Sequence, residues 1–236
     1  MGIFDINAIN QLVKAIESEN VKKISSIIRK SDNQGIIINL NEKTSDGVYP
    51  IISAIEKNNE EIANILFNYA NSKNFAININ VKKNNGWTPF MIAINKNNIK
   101  LVELLIHYSY KYKTTIDING KCNNRWNSLM LTISNSNSEI AKILFQYSNN
   151  NNIILNINEK IFKHWYPLLL AVYKYNSEII LMIIEYAEKY NIKLNVNDYN
   201  DYGDYPIKLA INKGYNDIVE SILKYCNNNN IIINIH

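Results

Sequence analysis

The residues of this chain best suited to chemistry are three tryptophans at equal spacing along the sequence: Trp87, Trp126 and Trp165. Tryptophan offers a large flat apolar surface and one N–H donor, so it suits stacking and burial against another molecule. Cationic side chains lie close to these positions in sequence, namely Lys82, Lys83, Lys121, Arg125, Lys160 and Lys163. The spacing therefore predicts a row of rings, one in each of three repeated units, flanked by positive charge.

The other reactive side chains form no catalytic or metal-binding pattern. The three histidines, His107, His164 and His236, are scattered, and no Cys/His spacing fits a zinc site. No Ser or Cys has a plausible base and orienting residue for nucleophilic catalysis, and no glycine-rich loop could cradle a phosphate. We therefore expect no catalytic residue, no metal and no cofactor.

Composition and charge narrow the class of protein further. The formal net charge of +4, with a pI near 8.8, is too mild to indicate nucleic-acid binding by itself. Two cysteines in 236 residues do not make a disulfide framework, which favours a reducing compartment. The N-terminus lacks a signal-peptide pattern, and the longest apolar runs, such as 168–172 and 179–184, are too short to cross a membrane. These features favour a soluble cytoplasmic protein, with the nucleus also open.

A repeat of constant length organises almost the whole chain. The prolines at 50, 89, 167 and 206 are separated by one, two and one repeat lengths, and Ser128 and Gln11 occupy the two remaining positions. An ungapped register then aligns apolar residues in every unit. The repeats are 5–43, which serves as an N-terminal cap, and then 44–82, 83–121, 122–160, 161–199 and 200–236.

Each unit reads as two helices. The first begins at the proline, which is tolerated at the first helical position, and covers about two turns, as in 89–95. Helical apolar spacing in Leu101, Val102, Leu105 and Tyr108 predicts a longer second helix. A tyrosine recurs near its end at 69, 108, 147, 186 and 225, and we interpret that column as packing, with hydroxyls left in water.

An extended stretch and a turn complete the unit. Apolar residues alternate with period two, as in Ile36, Ile38 and Leu40, before an Asn-apolar-Asn triplet. The last triplet is the near match Asn234-Ile235-His236. A turn follows in which Gly47, Gly86 and Gly203 share a column, while Arg125 and His164 replace glycine in two units. Those two turns should be strained or differently shaped.

The segment 85–90, Asn-Gly-Trp-Thr-Pro-Phe followed by Ala93, resembles the ankyrin repeat. The segment 213–219 is similar to the start of that family's second helix, and the Asn-apolar-Asn triplet resembles its closing motif. The resemblance implies an all-α helical solenoid of six repeats with hairpin and extended connections. The period of 39 exceeds the family's usual length of about 33 and indicates a long, Asn- and Ile-rich subtype. Thr88 is a good helix cap, whereas Tyr49, Tyr166 and Tyr205 are poor ones.

The resemblance also implies a function, namely a non-catalytic scaffold that binds a protein partner through its hairpin tips and concave face. Trp87, Trp126 and Trp165 would form an aromatic ladder on that face, or they would only pack on neighbouring hairpins. Basic tips beside the ladder suggest an acidic segment as partner, although they could also be a solvated surface. The residues proposed to contact the partner are Trp87, Trp126, Trp165, Lys82, Lys83, Lys121, Arg125, Lys163, Asp201 and Asp204.

Two further interpretations remain open. In one, the chain is a structural or stacking segment of a longer ankyrin array and associates through an uncapped C-terminal face bearing Ile231 and Ile233. In the other, which the mild charge disfavours, stacked aromatics and lysines bind single-stranded RNA. Of the two cysteines, we expect Cys226 to be a small packing residue and Cys122 to be an exposed thiol at a tip.

Overall fold

The computed structural model describes residues 6–234, which form twelve α-helices joined by turns and extended segments. A short 3-10 helix, Phe162–His164, lies at one of the hairpin tips. The α-helices are α1 Ile6–Glu17, α2 Val21–Asn33, α3 Pro50–Glu56, α4 Glu60–Ser72, α5 Pro89–Asn95, α6 Ile99–Lys111, α7 Ser128–Ser134, α8 Ser138–Asn150, α9 Pro167–Tyr173, α10 Ser177–Lys189, α11 Pro206–Lys213 and α12 Asn216–Asn228.

At most helix starts, either a side chain accepts a hydrogen bond from an unpaired backbone N–H, or a proline stands where that N–H would be. Thr88 and Asn127 accept hydrogen bonds from the backbone N–H of the residue three positions later, whereas Tyr49, Tyr166 and Tyr205 make no such bond. This confirms the predicted difference between threonine and tyrosine caps. A helix-capping asparagine starts each second helix except the last, at positions 20, 59, 98, 137 and 176.

The first and second helices differ in length as the spacing predicts. The helix from Pro89 ends at Asn95, while the second helices contain 13 residues, because the extra residues of the long repeat extend them. The first repeat is an exception, since α1 begins at Ile6, ahead of the proline column at Gln11. A missing proline alone does not account for the earlier start, because α7 also lacks it and begins at the column position Ser128, where Asn127 caps the helix.

The chain divides into two compact units, the first ending at Asp117 and the second beginning at Ile118. In the first unit α1, α3 and α5 pack in a row, each against its own second helix, and the same arrangement joins α7, α9 and α11 in the second unit. A small-residue column at the centre of the first helices is fully buried and lets these helices approach closely: Ala15, Ala54, Ala93, Thr132, Ala171 and Ala210.

The period-two stretches are extended and bury alternate residues, but none within residues 6–234 is a β-strand. Ile38 and Leu40 point into the core, and Leu155 and Ile157 do so in the second unit. Ile235 and His236, which complete the last predicted triplet, lie outside the described residues. Without a strand ladder, the backbone groups of these stretches bond to side chains of a neighbouring repeat.

Asparagines supply one set of those bonds. The Nδ2 of Asn41 donates to the carbonyl of Ala76 at 2.8 Å, and its Oδ1 accepts from the N–H of Asn78 at 2.7 Å. A single amide thus satisfies one acceptor and one donor of the next repeat. The equivalent asparagines bond to the residues 35 and 37 positions later in the same way: Asn80, Asn119, Asn158 and Asn197. We call this set the asparagine lock.

Tyrosine hydroxyls supply a second set, which we call the tyrosine lock. The hydroxyl of Tyr69 accepts from the N–H of Ile38 at 2.8 Å, and that of Tyr108 accepts from Ile77 at 2.7 Å. Tyr186 and Tyr225 accept from Leu155 and Leu194 in the second unit, both at 3.0 Å. The rings are buried, as predicted, but the expectation that their hydroxyls remain in water is wrong. An extended stretch without a partner strand needs these acceptors.

Candidate functional site

Five hairpin tips precede the first helices of the later repeats. In each, the N–H of the first tip residue bonds to the carbonyl four positions on, for example from Lys83 to Trp87 at 2.9 Å. Gly47, Gly86 and Gly203 take positive φ at the turn, as their shared column predicts. Numbered along the chain, the tips are 44–48, 83–87, 122–126, 161–165 and 200–204.

Two tips lack the glycine, and both force other residues into the left-handed region. Arg125 has φ 65° and His164 has φ 57°. In the fourth tip Lys163 is also left-handed, at φ 57°, and the turn becomes the 3-10 helix Phe162–His164. The prediction of strained or differently shaped turns is therefore confirmed, and the fourth tip shows the larger departure.

The tryptophans follow these turns and are partly buried. Trp126 and Trp165 line one open groove of about 690 Å³ in the second unit. The ring of Trp165 lies edge-on to Tyr173 at 5.1 Å between centroids and 6.5 Å from Tyr202. Trp87 belongs to the first unit, where it ends the second tip. We call the groove beside Trp165 the aromatic groove.

A second opening of about 630 Å³ lies on the other side of the fourth tip. It runs along the third tip and Lys160, and it shares four lining residues with the aromatic groove: Trp126, Ile161, Phe162 and Lys163. Phe162 is 69% exposed. The two openings therefore adjoin each other at this exposed ring. Sequence reasoning missed Phe162, Tyr173 and Tyr202, although a phenylalanine in a column otherwise holding Ser45, Asn84, Asn123 and Asp201 was a readable signal.

Most lysines of the predicted basic tips have acidic partners inside the protein. Lys82 lies 3.6 Å from Asp117, and Lys83 pairs with Glu56 in the first unit. Lys121 pairs with Glu159 in the second unit, and Lys160 lies 2.7 Å from Asp198. These pairs reduce the net positive potential that the tips offer to a partner. Arg125 is exposed and makes no ion pair with the described residues.

The fourth and fifth tips are tied together by polar contacts. The Nζ of Lys163 donates to the hydroxyl of Tyr202 at 2.5 Å and lies 4.9 Å from the centre of that ring. This hydrogen bond raises the pKa of Lys163 above its usual value, so the side chain is a stable cation. His164 pairs with Asp201, whose N–H also donates to the carbonyl of Lys163 at 3.2 Å. Asp204, also predicted as a contact, lines the aromatic groove.

The first unit has a groove of similar size, about 670 Å³, between its first two tips. Its lining includes five charged residues, with Glu17, Asp46 and Glu56 against Lys57 and Lys83. No tryptophan lines it. The two units therefore present grooves of similar volume and different chemistry.

The last repeat has an exposed apolar face. Ile211 is 55% exposed, whereas the equivalent residue is fully buried in each of the five preceding repeats: Ile16, Ile55, Ile94, Ile133 and Val172. Leu223 and Ile232 are also exposed on this repeat. The first repeat differs, because Lys14 and Lys30 are exposed in columns that hold buried residues elsewhere.

The cysteines and histidines form no reactive cluster among the described residues. Both cysteines are reduced and buried, so the expectation of an exposed Cys122 is wrong, while Cys226 packs as predicted and burial raises the pKa of its thiol. His107 is exposed on α6, and His236 lies outside the described residues. Among the described residues, no cluster of His, Cys, Asp or Glu could hold a metal ion, and none of their helices is long and apolar enough to span a membrane.

The family model described as "Ankyrin repeats (3 copies)" matches residues 11–116 and 73–154, which together exceed half of the chain. No curated protein matches the sequence. Among solved structures, an ankyrin repeat domain from Acinetobacter baumannii AYE is similar, with a TM-score of 0.68 and 17% identity, covering 91% of this chain and 96% of that one. At that identity the likeness concerns the fold alone.

Proposed function

Since this chain belongs to the ankyrin repeat family, we propose that it is a non-catalytic scaffold that captures a protein partner through its hairpin tips and first helices. Ankyrin repeats are generally protein–protein interaction modules. The contacts would come from Trp87, Trp126 and Trp165, together with the charged tip residues that remain available. Because both thiols are free, we place the protein in a reducing compartment, the cytoplasm or nucleus.

The aromatic groove is the observation that carries this proposal. Trp126 and Trp165 meet there, and neither ring is fully buried. Partly exposed tryptophans in a groove have the features of binding hot spots, since they offer large rigid contact areas at small entropic cost. The many ion pairs among the lysines favour apolar contact as the main source of affinity, with charge adjusting specificity and rate.

A pull-down from the source cell lysate tests the proposal. The bait would be the whole chain, beside a variant carrying Trp87→Ala, Trp126→Ala and Trp165→Ala. We expect the variant to lose the captured protein while its helical circular dichroism is retained. Leu181→Ala is the matched control, because Leu181 is exposed on α10 and lines neither opening around the fourth tip.

Equal capture by the triple variant would contradict a binding role for the tryptophans and leave them as packing residues. Loss of helical signal in the triple variant would call for single replacements. Trp165→Ala and Trp126→Ala would then be compared separately, each against Leu181→Ala.

The exposed face of the last repeat supports a second candidate function, a structural segment that associates with copies of itself. The first repeat exposes the charged residues Lys14 and Lys30 at positions that are buried in the other repeats. Two copies would therefore associate through the same apolar face of their last repeats. An interface of like with like closes at the dimer instead of growing into a filament. Ile231→Ser with Ile233→Ser, or Ile211→Lys alone, should abolish that association in sedimentation equilibrium. A wild-type chain that stays monomeric at all concentrations would contradict it.

A further inference from the structure

The fourth tip is built unlike the other four. It alone combines an exposed phenylalanine with a left-handed lysine and a left-handed histidine, where the second residue of the other tips is Ser45, Asn84, Asn123 or Asp201. Left-handed backbone at non-glycine residues costs roughly 1–3 kcal/mol each. Among the described residues, two such residues in succession occur only at this tip, since the others, such as Asn58 and Asn97, are isolated. Such strain persists only where neighbouring structure enforces it.

The fifth tip enforces that conformation. The His164–Asp201 pair, the bond from the N–H of Asp201 to the carbonyl of Lys163 and the Lys163–Tyr202 contact hold the two left-handed residues in place. Phe162 is left exposed, with the Nζ of Lys163 5.7 Å from its ring centre. The turn is therefore preorganised beside an apolar ring that is largely open to solvent, which lowers the entropic cost of binding.

The two openings beside this tip fit an extended chain segment. They adjoin each other at Phe162, because they share Trp126 and three residues of the fourth tip. Trp165, Tyr173 and Tyr202 provide ring faces and edges along one side. Tilted aromatic rings favour contact with another ring, in edge-to-face or offset geometry.

The charge of the lining indicates the character of that segment. The two openings are lined by Arg125, Lys160, Lys163 and Lys174, against one carboxylate, that of Asp204. Lys160 is already paired and Lys163 bonds to Tyr202. Arg125 and Lys174 have no carboxylate partner among the described residues, so they are available to carboxylates of a ligand.

We propose that the openings around the fourth tip bind an extended acidic peptide segment that carries an aromatic side chain. The aromatic side chain lies against Trp126, Trp165 and Tyr173, and flanking carboxylates pair with Arg125 and Lys174. This inference rests on the proposed function and specifies its site and the chemistry of its partner. Acidic flanks alone would bind weakly, because exposed ion pairs contribute little.

Fluorescence anisotropy with the whole chain tests the proposal. The probe is a labelled nonapeptide, Glu-Asp-Glu-Asp-Phe-Glu-Asp-Glu-Asp, compared with one bearing Ala for Phe, one bearing Lys at every acidic position, and oligouridylate. We expect the acidic phenylalanine peptide to bind, the alanine peptide to bind at least tenfold more weakly, and the other two not to bind. Phe162→Ala and the double variant Arg125→Gln with Lys174→Gln should each weaken binding about tenfold, which corresponds to about 1.4 kcal/mol.

Only the double charge variant should reduce the salt dependence of binding, since it removes the ionic contacts. Leu181→Ala should bind as the wild type does. Phe162 is exposed, so its replacement tests the site without disturbing the core. Binding of the lysine peptide or of oligouridylate with equal or higher affinity would overturn the proposal, as would equal loss in Leu181→Ala or failure of the acidic peptide to bind.

The two proposals can fail separately. If the lysate pull-down still depends on the tryptophans while the acidic peptide fails, the protein-binding role stands and the chemistry inferred here is wrong. If the tryptophan variants capture the partner as well as wild type does, the protein-binding role through the tips is itself overturned.

Discussion

The two units of this protein share one internal design and differ in their surfaces. In both, asparagine and tyrosine side chains bond to the extended backbone of an adjacent repeat. Large exposed apolar residues are distributed unequally. Among the described residues the first unit has one, Tyr110, whereas the second has Ile154, Phe162, Tyr173, Tyr175, Leu181, Tyr199, Tyr202, Ile211, Leu223 and Ile232.

The residues that stabilise the fold are therefore different from the surface residues that we propose to bind a partner. Stability resides in bonds and buried columns that recur in each unit, so the tips can change without altering the architecture. The second unit has acquired rings and an open groove, while the first presents a groove lined by Glu17, Asp46 and Glu56. Variants placed at equivalent positions of the two units test the comparison directly.

The largest effect on the free energy of unfolding should come from lysine at the repeat position that Ile211 occupies. Ile55→Lys places an ammonium at a fully buried position of the first unit, and we expect it to cost more than about 4 kcal/mol and to unfold that unit. Ile211→Lys, at a position that is 55% exposed, should change the free energy of unfolding by less than about 0.5 kcal/mol. Urea denaturation followed by circular dichroism measures both, and similar losses would mean that Ile211 is covered in solution.

The tyrosine lock should contribute in both units, and more at Tyr186, whose hydroxyl also accepts from Ser148 at 3.2 Å and donates to the carbonyl of Ile153 at 3.1 Å. Tyr108→Phe and Tyr186→Phe retain the ring but leave the N–H of Ile77 or Leu155 without its acceptor, at a cost of about 1–3 kcal/mol each. The same denaturation experiment measures the loss. A negligible cost in one unit alone would show that the shared internal design does not extend to its energetics.

Alkaline pH should weaken the same lock. Burial raises the pKa of Tyr108 from 10.0 to about 12, and it also raises the pKa values of Tyr69 and Tyr225. Because the folded state favours the neutral phenol, its stabilising effect is complete below pH 10 and is lost as pH rises through about 12. Tyrosinate absorbance and helical circular dichroism should change together in that window. Ionisation of all tyrosines near pH 10 with the fold intact would contradict the buried hydroxyls.

Substitutions in the turns of the hairpin tips should give the smallest changes in stability. Gly47→Ala in the first unit should cost about 1 kcal/mol, because φ is 79° and an added Cβ meets no atom within 4 Å, so only backbone strain remains. Arg125→Gly in the second unit should stabilise by about 0.5 kcal/mol, since it relieves a left-handed arginine. Thermal unfolding measures both shifts, and a destabilised Arg125→Gly would indicate that the side chain has a structural role.

Much of the fold can be predicted from the sequence, because it depends on local rules repeated six times. Proline at the first helical position marked the start of the helix 89–95, and Thr88 caps that helix as expected. The alternating apolar residues of the extended stretches are buried. The Asn-apolar-Asn column was visible, but its bonds were not, since they join side chains to backbone groups 35 and 37 residues away.

The candidate site was less predictable. The tryptophan column marked Trp126 and Trp165, which do line one groove. Phe162 breaks a column of small and polar residues, which was a readable signal, but only the structure shows that Phe162 and Tyr202 are exposed beside that groove. Pairing of Lys121 with Glu159 depends on side chains of successive repeats, and residue type alone does not show it. Cys122 occupies a tip yet is buried, as are Thr44, Ile161 and Asn200, the first residues of three other tips.

The asparagine lock also bears on how such a chain can change length. Each amide bonds only to main-chain atoms, so it accepts any side chains in the repeat that follows. A duplicated or deleted block of one whole repeat would leave every remaining asparagine opposite an equivalent carbonyl and N–H. Gene-level gain or loss of whole repeats would therefore preserve the joints between them, while insertions of any other length would misplace the amides.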